Sequence, residues 1–194
     1  TRLYITGGMG GGQHHEAVPW SPYCLPQTGD IAETCASIAM MMFSWRMHAL
    51  TGESGCFDVI ENILYNHFLG ALSLDQLSIA YYNPVRLTES GNHRNQRVRL
   101  PELHGTSCCF PNAWRFLAAL PEYVFSYDED GVSVNLYTTA SAEVTLPADR
   151  RIRLEVETGY PHRGPVRVRI EGQGPREFAL RLRIPSFCQT ASVR

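Results

Sequence analysis

The spacing of apolar positions along this chain changes once. Up to about Tyr127 apolar residues recur every three or four positions; beyond it they alternate with polar ones. The first helical stretch is DIAETCASIAMMMFSWRMHALTG, residues 30–52, rich in the helix formers Ala, Met and Leu. Asp30 or Thr34 can cap its start, and Gly52 suits its end. Met40, Met41, Met42 and Phe43 read as a core stripe within it. A second helix is predicted over CFDVIENILYNHFLGAL, residues 56–72, with Phe57, Ile60, Ile63, Leu64 and Phe68 in helical spacing. A third fits FPNAWRFLAALPEYVF, residues 110–125, where Pro111 is tolerated in the first turn. Between them, QLSIAYYNPVRL (76–87) reads as an extended hairpin or strand pair, and 90–107 as polar loop. Residues 1–29 are loop-like: a short LYI, then GGMGGGQHHE, then prolines among aromatics.

After Tyr127 the segments GVSVNLYTTASAEVTL, RIRLEVETGY, PVRVRIEG and EFALRLRIPS alternate, separated by Gly, Pro and Asp turns. This pattern predicts successive antiparallel strands of a sandwich. Arg150, Arg151, Arg153, Arg167 and Arg169 fall on its solvated faces. A boundary is expected near Asp128–Gly131. Three helices make a poor domain alone, so their packing partners are expected upstream. The chain has no initiator Met, and it reads as a piece of a longer protein whose targeting signals are out of view.

Composition narrows the function classes. The 194 residues are 44% hydrophobic and 19% charged, with a formal net charge of -2. That balance offers no electrostatic case for nucleic acid or an anionic membrane. No apolar run approaches the ~20 residues of a membrane span. The six cysteines are irregularly spaced, and the chain is too long for a disulfide-stapled mini-domain. The reading is a mostly reduced, cytoplasmic protein.

Several motifs fail on inspection. GGMGGGQ lacks the Walker lysine, and prolines come after it instead of a helix. HHE is not succeeded by the P-C-x-x-C of zinc deaminases, and H-E-x-x-H and G-x-S-x-G are absent. Gly-rich loops of this kind are most often exposed, mobile or tightly turned backbone.

The paired cysteines of HGTSCCFPNAW are different. Cys108 and Cys109 lie just before a predicted helix start, where unpaired N–H groups and the helix dipole favour thiolate over thiol. Glu33 and Cys35, in ETC, lie at another helix start. Mid-helix, residues two apart diverge; in a capped first turn they can converge. Together Glu33, Cys35, Cys108 and Cys109 make a donor set suited to tetrahedral zinc, provided two helix N-termini meet. Spacing alone leaves the alternative open that these cysteines are simply buried.

The whole strings go further. YITGGMGGGQHHEA, DIAETCASIAMMMF, IAYYNP and SCCFPNAWRFLAAL, in this order and before a sandwich pattern ending LRLRIPS, resemble glycoside hydrolase family 127, the β-L-arabinofuranosidases, and its close sister families. The resemblance spans nearly the whole chain. It implies an α + β multidomain fold, with residues 1–128 the C-terminal half of an (α/α)6 barrel and 129–194 the start of an antiparallel β-sandwich. It implies a retaining glycosidase with Zn held by Glu33, Cys35, Cys108 and Cys109. Cys108 would be the nucleophile and Glu16 the acid/base, with Tyr81 and His15 toward the sugar. Its partner would be an arabinofuranoside-containing glycan; a homodimer is compatible with it. The loop GGGQHHEA departs from the family's shorter small-residue run and its G-E, which bears on substrate preference.

The chemistry is coherent. Retaining glycosidases pair a nucleophile with an acid/base, ordinarily two carboxylates; here the nucleophile would be a thiolate that zinc keeps deprotonated. Two rivals stand beside it. The four residues could form a closed structural zinc site in a non-catalytic carbohydrate-associated protein. Alternatively Cys108 could serve a thiol hydrolase with His104, although no clear third partner accompanies them.

Overall fold

A computed structural model describes residues 3–11, 21–27, 32–86, 100–101, 108–172 and 177–194. The chain divides into two compact units, Thr1–Ala118 and Ala119–Arg194. Among the described residues no helix is long and apolar enough to cross a membrane.

The first unit is built on helix α1, Thr34–Thr51. Its N-cap is Glu33, which makes no side-chain capping bond. The expected cap at Thr34 therefore does not form: Thr34 is already helical, and its hydroxyl donates to the Ala80 carbonyl at 2.6 Å. Asp30 lies outside the described residues. The expected stop does form: Gly52 takes φ 70°, and its N–H donates to the His48 carbonyl at 2.7 Å. The Met-Met-Met-Phe stripe is only partly core. Met41 is fully buried, whereas Phe43 is exposed, because four consecutive helical residues cannot share one face.

The second helical stretch begins as α2, Gly55–Asn62, and loosens into a π-helical turn over Ile63–Phe68, then closes with α3, Leu69–Ala71. Ile63, Leu64, His67 and Phe68 are buried here. A π-turn inserts one residue into the helical period and re-aims the side chains beyond it. The Gly-rich segment docks on this turn. A Cβ at Gly7 would lie 2.8 Å from the Ile63 Cα, and one at Gly8 would lie 2.7 Å from His67 Nδ1. Gly7 and Gly8 are buried, so the start of the loop is packed backbone rather than exposed coil. Only glycine permits so close an approach.

Of the expected hairpin over 76–87, only Ser78–Ile79 forms a strand among the described residues, β1; it pairs antiparallel with β2, Leu100–Pro101. Helix α4 spans Cys109–Ala119, starting two residues before Pro111 and ending ahead of Pro121. The predicted helix continued through Phe125; instead Leu120–Tyr123 tightens into a 3-10 turn, since Pro121 lacks the N–H that would continue the ladder.

The second unit carries β3 (Phe125–Tyr127), β4 (Gly131–Val134), β5 (Ala140–Leu146), β6 (Arg150–Thr158), β7 (Val166–Gly172) and β8 (Ala179–Leu182). They form two three-stranded sheets, β3-β4-β8 and β5-β6-β7. All neighbours are antiparallel except β4 and β8. Wholly antiparallel pairing was expected from the alternation. That pattern fixes which face is buried, not the direction of a strand that returns from a distance. Val132 of β4 packs with Val144, Leu146, Ile152 and Leu154 of the other sheet. Each such burial is worth about 1.5–3 kcal/mol. The opposite face of β5-β6-β7, expected to be solvated, carries Arg153–Glu143, Arg169–Glu155 and Arg167–Glu157 ion pairs at 3.2–3.5 Å.

This packing can be tested at two positions. A Cβ at Gly131 would stand 1.9 Å from the Ala179 carbonyl oxygen, across the β4–β8 pair. Gly131→Ala is therefore expected to destabilise the second unit by about 3 kcal/mol, read from denaturant unfolding; an unchanged midpoint would contradict the close pairing. Burial holds the His67 imidazole neutral in the fold, at about 4 against an ordinary 6.5. Below pH 6.5 the unfolded chain takes the proton and the folded chain does not, so stability should fall between pH 6.5 and 4 by on the order of 3 kcal/mol. His67→Gln should remove that component of the pH dependence, and an unchanged profile would contradict it.

Candidate metal and nucleophile centre

The N-termini of α1 and α4 meet. Glu33 and Cys35 come from the first, Cys108 and Cys109 from the second. One ligand atom from each, a carboxylate oxygen and three sulfurs, lies within 4.8 Å of every other. The sulfurs of Cys35 and Cys109 are 3.3 Å apart and share a hydrogen bond; those of Cys108 and Cys109 are 4.0 Å apart. Glu33 and Cys109 are buried, Cys35 is half-buried and Cys108 is exposed. All six cysteines are free thiols.

Local chemistry explains why ETC folds as it does. Glu33 keeps extended φ/ψ of -65° and 134° as N-cap, which offsets its side chain from the helical phase of Cys35. Ala32, just before it, sits at φ 40°, a left-handed conformation costing about 1–3 kcal/mol for a residue with a Cβ. Asn83 offsets this cost. Its amide donates to the Ala32 carbonyl at 3.1 Å and to the Thr34 hydroxyl at 2.9 Å. The Thr34 N–H donates to the Tyr81 carbonyl at 3.2 Å. The Y-x-N-P string thus clamps the ETC turn from behind. The Gly-rich segment clamps it from another side, where the Met9 N–H reaches Ser37 Oγ at 3.3 Å.

Electrostatics distribute charge within the cluster unequally. Cys35 is drawn down to about 6, chiefly by its hydrogen bond with Cys109, with further bonds from Asn112 and Cys108. Cys108 is raised, chiefly because its sulfur is partly desolvated by its neighbours although the residue as a whole is exposed, and then by the Cys35 charge. Cys109 is raised, chiefly because its hydrogen bond goes to Cys35. The expectation that helix dipoles would make Cys108 and Cys109 the acidic pair is corrected: Cys35 is the sulfur that is drawn down. Three adjacent thiols cannot all ionise cheaply, and the sulfur that receives most donors ionises first.

The donor set fits a soft divalent cation. Three thiols and one carboxylate suit tetrahedral zinc, and their mutual distances need only small adjustments to surround one ion. Tyr81 is 3% exposed, its ring edge-on to Tyr82 at 4.4 Å between centroids. Glu16, His15, His14 and His104 lie outside the described residues. Sequence reading missed Thr34, Asn83 and Asn112 as supports of the centre, although Asn83 and Asn112 stood inside the quoted Y-x-N-P and C-C-x-P-N strings.

Comparison with known proteins shows the family. Residues 1–122 match the model of the β-L-arabinofuranosidase GH127 catalytic domain, and residues 131–194 match that of the GH127 middle domain. A non-reducing end β-L-arabinofuranosidase from Bifidobacterium longum subsp. longum is 31% identical over 137 residues, which is 69% of this chain and 21% of that protein. The solved GH127 β-L-arabinofuranosidase of Geobacillus stearothermophilus T6 superposes with a TM-score of 0.89 at 31% identity, covering 97% of this chain and 30% of its own. The GH127 β-arabinofuranosidase BT3674 superposes at 0.83 and 37% identity, covering 96% and 28%. The chain therefore spans about a fifth to a third of the length of these relatives. With both family models matched in order, and the ETC and CC turns brought together, this chain belongs to glycoside hydrolase family 127.

Proposed function

We propose that this chain carries the thiolate and metal half of a retaining glycosidase acting on β-L-arabinofuranosides. In this reading residues 1–128 belong to an (α/α)6 barrel and 129–194 open a β-sandwich. The observation that carries it is the uneven burial of the cluster. Glu33 and Cys109 are buried while Cys108, at the same centre, is exposed. A purely structural zinc site is usually closed; one exposed thiol among sequestered donors suits a group that must meet a substrate.

Glu33, Cys35, Cys108 and Cys109 would hold Zn, whose chemistry is to keep these sulfurs deprotonated at neutral pH. That matters because Cys108, like Cys109, holds its proton above the ordinary thiol range. The Cys108 sulfur then attacks the anomeric carbon. The glycosidic C–O bond breaks as Glu16 gives its proton to the departing oxygen, leaving a glycosyl thioether on Cys108. In the second step Glu16 takes a proton from water, the water oxygen bonds to the anomeric carbon, and the C–S bond breaks. Two inversions return the β-configuration. Tyr81 and His15 are assigned to sugar contact.

The test is release of L-arabinose from a simple β-L-arabinofuranoside by the intact protein. Cys108→Ala should abolish turnover, and Glu16→Gln should lower kcat about 10²–10⁴-fold, with β-arabinose as first product by NMR. Full activity in Glu16→Gln would instead favour a structural centre beside a different active site.

A further inference from the structure

We propose that Thr34 and Asn83 are positioning residues that hold Glu33 and Tyr81 to one another as a single unit; this rests on the metal and sugar roles proposed above. In the E-T-C string Thr34 stands between two residues whose ligand atoms converge with those of Cys108 and Cys109 within 4.8 Å. Its own polar groups go elsewhere. The Thr34 N–H donates to the Tyr81 carbonyl at 3.2 Å, and its hydroxyl donates to the Ala80 carbonyl at 2.6 Å. Two successive carbonyls thus fix the residue on either side of which Glu33 and Cys35 depart.

The hydroxyl has one proton, and the Ala80 carbonyl takes it, so Thr34 Oγ1 is left to accept. The Asn83 amide therefore turns Nδ2–H toward it, at 2.9 Å. The Ala32 carbonyl, 3.1 Å from the same nitrogen, requires the same orientation. That nitrogen carries two protons, and these two bonds fall on the residues immediately before and after Glu33. Asn83 grips Glu33 on both flanks. Glu33 makes no capping bond with its side chain, and Ala32 is held at φ 40°, so this grip sets the direction from which the carboxylate leaves the backbone. The Asn83 nitrogen also lies 3.4 Å from the Tyr81 carbonyl, which joins the two ends of the unit. Ala32, Thr34, Ala80 and Tyr81 are each no more than 3% exposed, so solvent does not replace a bond that is lost. Neither Thr34 nor Asn83 is assigned contact with metal or sugar; they act through Glu33 and Tyr81, as partners behind a metal ligand do.

The experiment measures zinc affinity of the intact protein by competition with a chromophoric chelator, the visible ligand-field bands of its Co(II)-substituted form, and KM for a simple β-L-arabinofuranoside. Thr34→Val keeps the shape and removes the hydroxyl. It is expected to weaken zinc binding about tenfold or more, to shift the cobalt bands and to raise KM. Thr34→Ser keeps the hydroxyl and should return all three close to wild type. Asn83→Ala, at a half-buried position, should act in the same direction, and it carries the test if Thr34→Val does not fold. Because the two residues share a bond, the double variant should lose less than the sum of the single losses. Wild-type zinc affinity and bands in folded Thr34→Val and Asn83→Ala, or a Thr34→Ser as weak as Thr34→Val, would overturn the positioning role while leaving the metal centre standing. An unchanged KM in Thr34→Val, where Tyr81→Phe raises it, would overturn the tie to Tyr81; an unchanged KM in Tyr81→Phe would instead overturn the sugar role of Tyr81. A wild-type protein that binds no zinc would overturn the metal reading itself.

Discussion

The first unit depends on bringing two helix N-termini together with three thiols and a carboxylate between them. Such ends carry partial positive charge and unpaired N–H groups, so they favour these donors electrostatically. Crowding opposes the arrangement: thiols 3.3–4.0 Å apart cannot all ionise without a counter-charge. The rest of the unit can be understood as the framework that holds this arrangement in place. Asn83 and Tyr81 fasten the Ala32–Thr34 turn, and the edge-on pair Phe68–Phe116, 5.2 Å between centroids, ties α4 to the π-turn.

That framework links the Gly-rich segment to the centre. Gly8 lies against the His67 ring, with Ala32 Cβ next nearest. Backbone without side chains therefore fills the gap between the π-turn and the Ala32–Cys35 turn. The neighbouring Met9 bonds to Ser37, two residues beyond Cys35. A change in the π-turn would reach Glu33 and Cys35 through packed atoms rather than through solvent. The glycines are thus structural components of the site, and their failure to match a phosphate-loop pattern is consistent with that.

Much of this was legible in the sequence, for identifiable reasons. Helix α1 and its Gly52 stop arise from propensity and the left-handed cap. The alternation in β6 placed Ile152, Leu154 and Val156 inside and its arginines outside. The quartet Glu33, Cys35, Cys108 and Cys109 came from residue chemistry and family strings. The π-turn was not legible, because Ile63, Leu64, His67 and Phe68 satisfy an ordinary helical period as well. The parallel β4–β8 pairing was not, because direction leaves no mark on alternation. The ionisation order was not, because it depends on which sulfur collects the hydrogen bonds. Asn83 stood inside a predicted hairpin or strand pair and Thr34 looked like a cap; their work is done between segments some fifty positions apart.

The central claim is that the cysteines of α1 and α4 answer to one metal ion. Its most direct test is to express the intact protein, strip loosely bound ions, and count zinc per chain in wild type and in Cys109→Ala. The account predicts one zinc per wild-type chain and its loss in the variant. A folded wild type without zinc would contradict it, reducing the cluster to a group of neighbouring thiols.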